Sequence, residues 1–455
     1  MLPEVLAGPP RRPSGRLLPA RELPEWLALP PLPPVTLCDG QAVLSAEAVE
    51  RLCGLIAVSR PGKAHHTIAE VRGLCTPESL AGFAWAIFQQ WAAAEFPASD
   101  RFAMTALAAL GDDTTVVALT AELQTWANGD AARVRLGLEA LATIGTDLAV
   151  THLLRLTRKA RTARFRRLAG KRADALATAR GLTLDQLADR HVPRLGFDRD
   201  GRAALDAGGR RLTVGLDERL QPWVADEHGR RLARPPGTAT TFPALRRELR
   251  TIAEERARAL EEAMVDGRRW SAGEFRELFV DHPVMWQLTH RLLWWSDGGL
   301  FRVAEDRSFA DIDDKPWDLD PEATVGVAHP WHFAADQATW AALFADYAVI
   351  QPFPQVGREF FGPAEARPES FTGRPAETRA VRSLTARGWW PPGINPGVRR
   401  DWPGGLSVDI EWSVHDPHRL TAVRVWRRDG TEAPFTDLPP IVLSEVARDL
   451  RLLTA

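Results

Sequence analysis

The chain is poor in several residue types that usually announce a function. Among 57 basic residues only Lys63, Lys159, Lys171 and Lys315 are lysine, Tyr347 is the single tyrosine, and 455 residues contain three cysteines. Cys38, Cys53 and Cys75 form an odd set with no C-x-x-C pair and no histidine at zinc spacing, which argues against a disulfide framework or zinc-finger-type site and for reduced thiols. No run approaches the roughly 18 apolar residues of a membrane-spanning helix. The first 34 residues, Met1–Pro34, are interrupted throughout by Pro and Arg and lack an export-type apolar stretch, so a cytoplasmic protein with no membrane partner is expected. Neither a P-loop nor a G-x-S-x-G elbow occurs, which disfavours P-loop ATP hydrolysis and Ser-elbow hydrolases. A formal charge of −2 gives no overall pull towards nucleic acid or membrane.

What is abundant is arginine and tryptophan, with 17 of the latter, in a chain that is 45% hydrophobic. That content can fill a large core, and roughly two to four domains are expected. The fold class predicted is α+β multidomain, with an N-terminal HEAT-like α-solenoid, a small β-rich module and a C-terminal mixed α/β domain. Residues 1–34, carrying PPLPP at 30–34, read as a disordered Pro/Arg-rich lead-in. Residues 35–192 read as a helical repeat domain. Ser45 caps a helix ending near Ser59, and Thr76-Pro77 opens another. ALAALGDD at 106–113 is echoed by ALATIGTD at 140–147, 34 residues later. Each copy ends a helix on glycine, Gly111 or Gly145, and restarts one after an acid, Asp113 or Asp147. That is the punctuation of stacked antiparallel helix pairs. Thr183–Gln186 is a capping box.

Past Pro193 the turn signatures FDRDGR and DEHGR separate short strands in a β-rich module, 193–240. The α+β domain, 241–455, opens with a long charged helix from Phe242 to Asp266. A capping box at Ser271–Glu274 then begins a helix. Pro283 starts another, running through Leu292 and Leu293 and ended by WSDGG at 295–299. GLSVDIEWSV (405–414) and LTAVRVWRR (420–428) predict a hairpin, and IVLSEVARDLRLL reads as a strand running into a helix or second strand. Residues 362–404 carry no assignable pattern.

The stretch Val325–Glu359 is the centre of the chain. It predicts a strand ended by His329-Pro330, then a buried amphipathic helix. The apolar face of that helix is Ala338, Ala341, Ala342 and Ala345, widened by Trp340, Leu343 and Phe344. A strand over Tyr347–Ile350 follows, and then a rigid extended QPFPQ loop. His329, His332, Gln351, Gln355 and Arg358 are the candidate binding residues, because rigid polar loops are where sites are placed. The competing reading is a prolyl connection whose glutamines satisfy backbone groups. His329-x-x-His332 and His415-x-x-His418 lie at loop edges, so no metal is assigned and no cofactor is expected. The acidic loop at 311–320 is read as a surface loop. A second candidate is the basic segment carrying Arg155, Arg158, Lys159, Arg164, Arg166 and Arg167, which has no acid between Leu148 and Ala173.

RGLTLDQLADRHVPRLGFDRDG, AMVDGRRW, DHPVMWQLTHRLLWW, VGVAHPWHF, ADYAVIQPFPQVGRE and LSEVARDL together resemble the bacterial MolR-like proteins. These are named for a proposed regulator of molybdate metabolism and carry a domain of unknown function, DUF4132. The resemblance covers roughly residues 25–455. It implies a helical-repeat region followed by a mixed α/β domain, with no assigned catalytic residue. Many such relatives have a WGR domain and a longer N-terminus; this chain has no Trp-Gly-Arg tripeptide and reads as a short-start form. The resemblance also points to a protein partner, of the MoxR-type AAA ATPase or von Willebrand A kind. The expected function is a non-catalytic interaction or regulatory scaffold. The alternative is an enzyme using 325–360, with His329 or His332 as base and Arg358 clamping an anion. Nucleic-acid binding through 155–172 ranks below both, since Phe165 is the segment's single aromatic. A deep pocket uniting His329, Gln351, Arg358 and Glu445 or Arg448 would favour the enzyme; burial in separate hydrogen-bonded contacts would favour the scaffold.

Overall fold

The computed structural model describes Leu6 and residues 22–29, 32–40, 42–60, 62–376, 378–390, 396–413 and 418–454. Most of the expected lead-in therefore lies outside the described residues, as does His415. The part of it that is described is docked. Trp26 stacks on Phe102 at 5.5 Å and donates to Asp100 at 3.1 Å, while the Gln90 amide clamps both backbone groups of Ala28. The chain forms two compact units, Met1–Pro193 and Arg194–Ala455.

The first unit is helical: α1 (Ala46–Ala57), α2 (His66–Leu74), α3 (Pro77–Ala93), α4 (Phe102–Leu110), α5 (Asp113–Thr125), α6 (Ala131–Ile144), α7 (Asp147–Lys159), α8 (Ala163–Ala179) and α9 (Leu184–Arg190). Ser45 caps α1, Pro77 begins α3 and the Thr183 capping box opens α9, each where its residue type satisfies or spares an orphan amide. Helix α2 has no strong sequence signal; His65 supplies its cap. Helix α4 is buried on every side and packs on α3 and α6, and α5 packs on α6 and α7. First helix thus lies against first helix, and second against second, across the 34-residue repeat. Thr146 joins the copies: its hydroxyl caps α7 by accepting from Ala149 N and donates to Asp113 at 2.6 Å. The caps precede the acids; Asp112 and Thr146 do the capping, while Asp113 and Asp147 are first-turn residues that favour the helix dipole.

Among the described residues the second unit has three antiparallel sheets. β1 (Arg202–Asp206), β2 (Arg211–Leu216) and β3 (Pro222–Ala225) form a meander. Helix α10 (Phe242–Val265) follows, then β4 (Arg269–Ser271), α11 (Ala272–Phe275), a π-turn at 276–280 and α12 (Pro283–Thr289). β5 (Leu293–Ser296), β6 (Gly299–Val303), β7 (Phe309–Ala310) and β8 (Thr324–Val327) join β4 in a five-stranded sheet of order β4-β8-β5-β6-β7. Helix α13 (Gln337–Asp346) and helix α14 (Thr378–Ala386) precede β9 (Gly397–Trp402), β10 (Leu406–Trp412), β11 (Leu420–Trp426) and β12 (Glu432–Ala433), and α15 (Pro440–Leu453) closes the unit.

Four local expectations are corrected. WSDGG does not end a helix but turns the β5–β6 hairpin, with Ser296 opposite Gly299. Tyr347–Ile350 is not a strand: Val349 N bonds back to Phe344 O and Ala348 takes a φ of 50°, so the run is the closing turn of α13. The alanine face of α13 is exposed; Trp340 and Phe344 are the buried residues. The terminal run is helical throughout, burying Val442, Leu443, Val446, Ala447, Leu450 and Leu453 at helical spacing.

The two repeat glycines are required for different reasons. Gly145 has a φ of 65°. Gly111 has an ordinary φ of −69°, but a Cβ there would sit 2.4 Å from the Leu107 carbonyl oxygen. Gly145→Ala should therefore cost about 1–2 kcal/mol in urea unfolding. Gly111→Ala should cost more, because backbone must move.

Candidate functional site

The QPFPQ loop is held by its glutamines. Gln351 accepts from the amides of Gln355 and Val356 and donates to Val356 O at 3.1 Å, closing the loop on itself. Gln355 is fully buried and acts as a strand surrogate. Its Oε1 accepts from Leu293 N at 2.8 Å, and its Nε2 donates to Leu293 O at 2.8 Å and Ala328 O at 2.7 Å, tying the ends of β5 and β8.

Arg358 follows and enters a buried charge network. It makes a two-pronged contact with Glu445 of α15, Nε to Oε1 at 2.8 Å and Nη2 to Oε2 at 2.6 Å, while Nη1 reaches Glu261 of α10 at 2.6 Å. Both Arg358 and Glu445 are 3% exposed. Burial opposes each charge, yet the bonds from His329 and Arg358 outweigh it and hold the Glu445 carboxyl well below its usual range. Burial likewise works against the Arg358 charge, and its two carboxylate partners more than reverse that, pushing it up. Arg448 lies 3.5 Å from the same carboxylate.

His329 is bound into this network and is wholly buried. Its Nδ1 accepts from Trp331 N at 3.1 Å and so carries no proton, and its Nε2 lies 3.3 Å from Glu445 Oε1, to which it donates. Both nitrogens are spent, and burial lowers its pKa. His332 Nδ1 accepts from His329 N at 3.0 Å, and its ring stacks on Trp295 at 4.1 Å. Burial, with the nearby His329 and Arg269, brings its pKa down to about 4. His418 bonds Ser413 O, and no group of three or more potential metal ligands occurs among the described residues.

Of the five candidate residues, Arg358 lines a cavity that the other four do not reach. That cavity, about 140 Å³, is walled by Arg258, Glu261 and Glu262 of α10, Arg387 beyond α14, Arg400 of β9, and Glu445 and Asp449 of α15. Asp449 is 1% exposed, pairs with Arg387 and accepts from Trp389 Nε1 at 2.7 Å; burial raises its pKa. Arg400 reaches Asp266 at 3.0 Å and the Arg387 carbonyl at 2.8 Å. The sequence reading missed Arg258, Glu261, Arg387, Arg400 and Asp449. A signal existed on each helix: Arg258, Glu261 and Glu262, like Glu445, Arg448 and Asp449, fall at i, i+3, i+4 and share a face.

The basic candidates lie in the first unit. Arg155, Arg158 and Lys159 occupy the end of α7, and Arg164, Arg166 and Arg167 the start of α8. Arg166 folds back onto the Ala160 carbonyl at 2.8 Å, and Arg172 pairs with Glu139 at 3.0 Å.

Residues 225–389 match the family model described as Domain of unknown function (DUF4132). The chain is also similar to the Uncharacterized protein YehI of Escherichia coli (strain K12), at 30% identity over 383 residues, covering 78% of this chain and 32% of that protein. It therefore spans about a third of that relative's length. No solved structure matches. The matched segment holds α10 and the QPFPQ loop, whereas Glu445 and Asp449 come from beyond it. Among the described residues no helix is long and apolar enough to cross a membrane.

Two outcomes follow. Glu445→Gln should destabilise the chain by about 3–5 kcal/mol in urea unfolding, because it leaves the buried Arg358 without its carboxylate. Arg358→Met with Glu445→Leu should cost less than Glu445→Gln alone. Stability should also fall as pH drops from 6.5 towards about 4, since His332 protonates more readily unfolded than folded over that window. His332→Asn, which keeps the acceptor without titrating, should flatten that fall.

Proposed function

We propose that the chain is a non-catalytic protein-interaction or regulatory scaffold, made of a HEAT-like stack of helix pairs and an α+β unit. The observation that carries this reading is His329: with Nδ1 accepting from Trp331 and Nε2 donating to Glu445, it has no lone pair left for a substrate proton. Gln351 and Gln355 are likewise occupied by backbone groups. The packing of α4 on α6 and of α5 on α7 supports a stacked-pair surface. The resemblance to MolR-like proteins supports a partner of the MoxR-type AAA ATPase or von Willebrand A kind, and with it a regulatory role.

The charged cavity favours a second reading, an enzyme that holds a small polar molecule between Arg258, Arg358 and Asp449. Native mass spectrometry of the chain purified from its host separates the two. The scaffold reading expects no retained small molecule, and a stoichiometric complex when the purified MoxR-type ATPase and von Willebrand A protein of that host are added. A retained small molecule, lost on Arg258→Ala, would overturn it in favour of the enzyme.

A further inference from the structure

Helix α8 is charged the wrong way round. The N-terminal turn of a helix presents unsatisfied amides and a positive partial charge, which favour acids. Here the first turn contains no acid and carries Arg164 and Arg166, and no acid occurs in the helix until Asp174. Arg164, Arg167 and Lys171 recur at i, i+3 and i+7, on one face, and like charges at that spacing repel. All three are exposed, as is Arg161 just ahead of the helix. Arg172 spends its charge on Glu139 and Arg166 on a carbonyl. Arg161, Arg164, Arg167 and Lys171 have no hydrogen-bonded or ion-paired partner among the described residues. A row of cations that starts against the positive end of the helix and whose members repel one another, with no partner among the described residues, is a local conflict of the kind that marks a functional surface. Thr162 caps the helix, so its amides are in part satisfied already.

We infer that this face of α8 docks an acidic protein segment, whose carboxylates line up with Arg164, Arg167 and Lys171 one turn apart. The inference rests on the scaffold reading and names the chemistry of its partner. An acidic helix is the better match than a nucleic acid. Phe165, the single aromatic of the segment, is buried and offers no stacking platform for bases. A helix facing a helix also repeats its carboxylates at the same one-turn interval as these cations. The row ends at Asp174, which would repel an anion extending further along the face and so limits the contact to about two turns.

The test uses the full chain and fluorescence anisotropy with labelled poly-L-glutamate, and a DNA duplex of equal charge as comparison. Poly-L-glutamate should bind in a salt-dependent manner, and the triple variant R164E/R167E/K171E should weaken it by about tenfold or more. That variant should melt no lower than the parent, because acids would then face the positive end of the helix. The single neutralisations R164Q and R167Q should each weaken binding by about two- to threefold. Unchanged affinity in the triple variant would sink the proposal, and so would tighter binding of the duplex at the same salt. If the triple variant still assembles with host partners, the α8 face is excluded while the scaffold stands. If neither parent nor variant assembles, the scaffold itself falls.

Discussion

The α+β unit depends on one buried ion pair. Arg358 and Glu445 are both withdrawn from water, and each charge costs several kcal/mol to bury. The cost is tolerable because nearly every polar atom is answered: two parallel bonds join the pair, Glu261 takes the third guanidinium contact, and His329 adds a fourth donor. Three segments far apart in the chain are thereby fixed to one another, namely α10, the stretch after QPFPQ, and α15. The same carboxylate also sets the tautomer of His329. Taking the proton on Nε2 leaves Nδ1 free to accept from Trp331, which shapes the turn leaving β8. Electrostatics and backbone conformation are one arrangement here.

The helical unit achieves order by other means. Its repeat is punctuated, with a glycine, a capping oxygen and a first-turn acid in both copies. The copies are chemically alike and sterically different: one glycine escapes a clash with its own helix, and the other adopts a left-handed φ. The Thr146–Asp113 bond joins the cap of one copy to the first-turn acid of the other. Buried thiols sit within the same unit; burial pushes Cys53 up to about 12 and Cys75 to about 11, so both remain protonated and inert.

Features that announce themselves over a few residues were legible in the sequence. The capping boxes at Thr183 and Ser271, the proline at the start of α3 and the alternation of β10 and β11 all need only their neighbours. Failures came where a local pattern has two solutions that tertiary contacts choose between. Alanines at helical spacing on α13 looked like a core face, but Trp340 and Phe344 hold more apolar area and took the interior. Ile441–Leu443 looked like a strand because three apolar residues in a row fit either period. The charged cavity was the least legible part. Its walls come from Arg258, Glu261, Glu262, Val265, Arg358, Arg387, Arg400, Glu445 and Asp449, and spacing within each helix shows a shared face without showing what it faces. His329 was singled out for good reason, since it is central, but its role is to be held rather than to react.

Gln355 has a further implication for how the unit assembles. Its side chain supplies the peptide-like groups that the end of the sheet lacks, reaching 62 residues back to Leu293 and 27 back to Ala328. Closing loops of that length is entropically slow, and nothing rewards it until both strands are already in register. The prolyl segment and the sheet margin should therefore become ordered together and late, as one cooperative step, and come apart together when the unit first loosens.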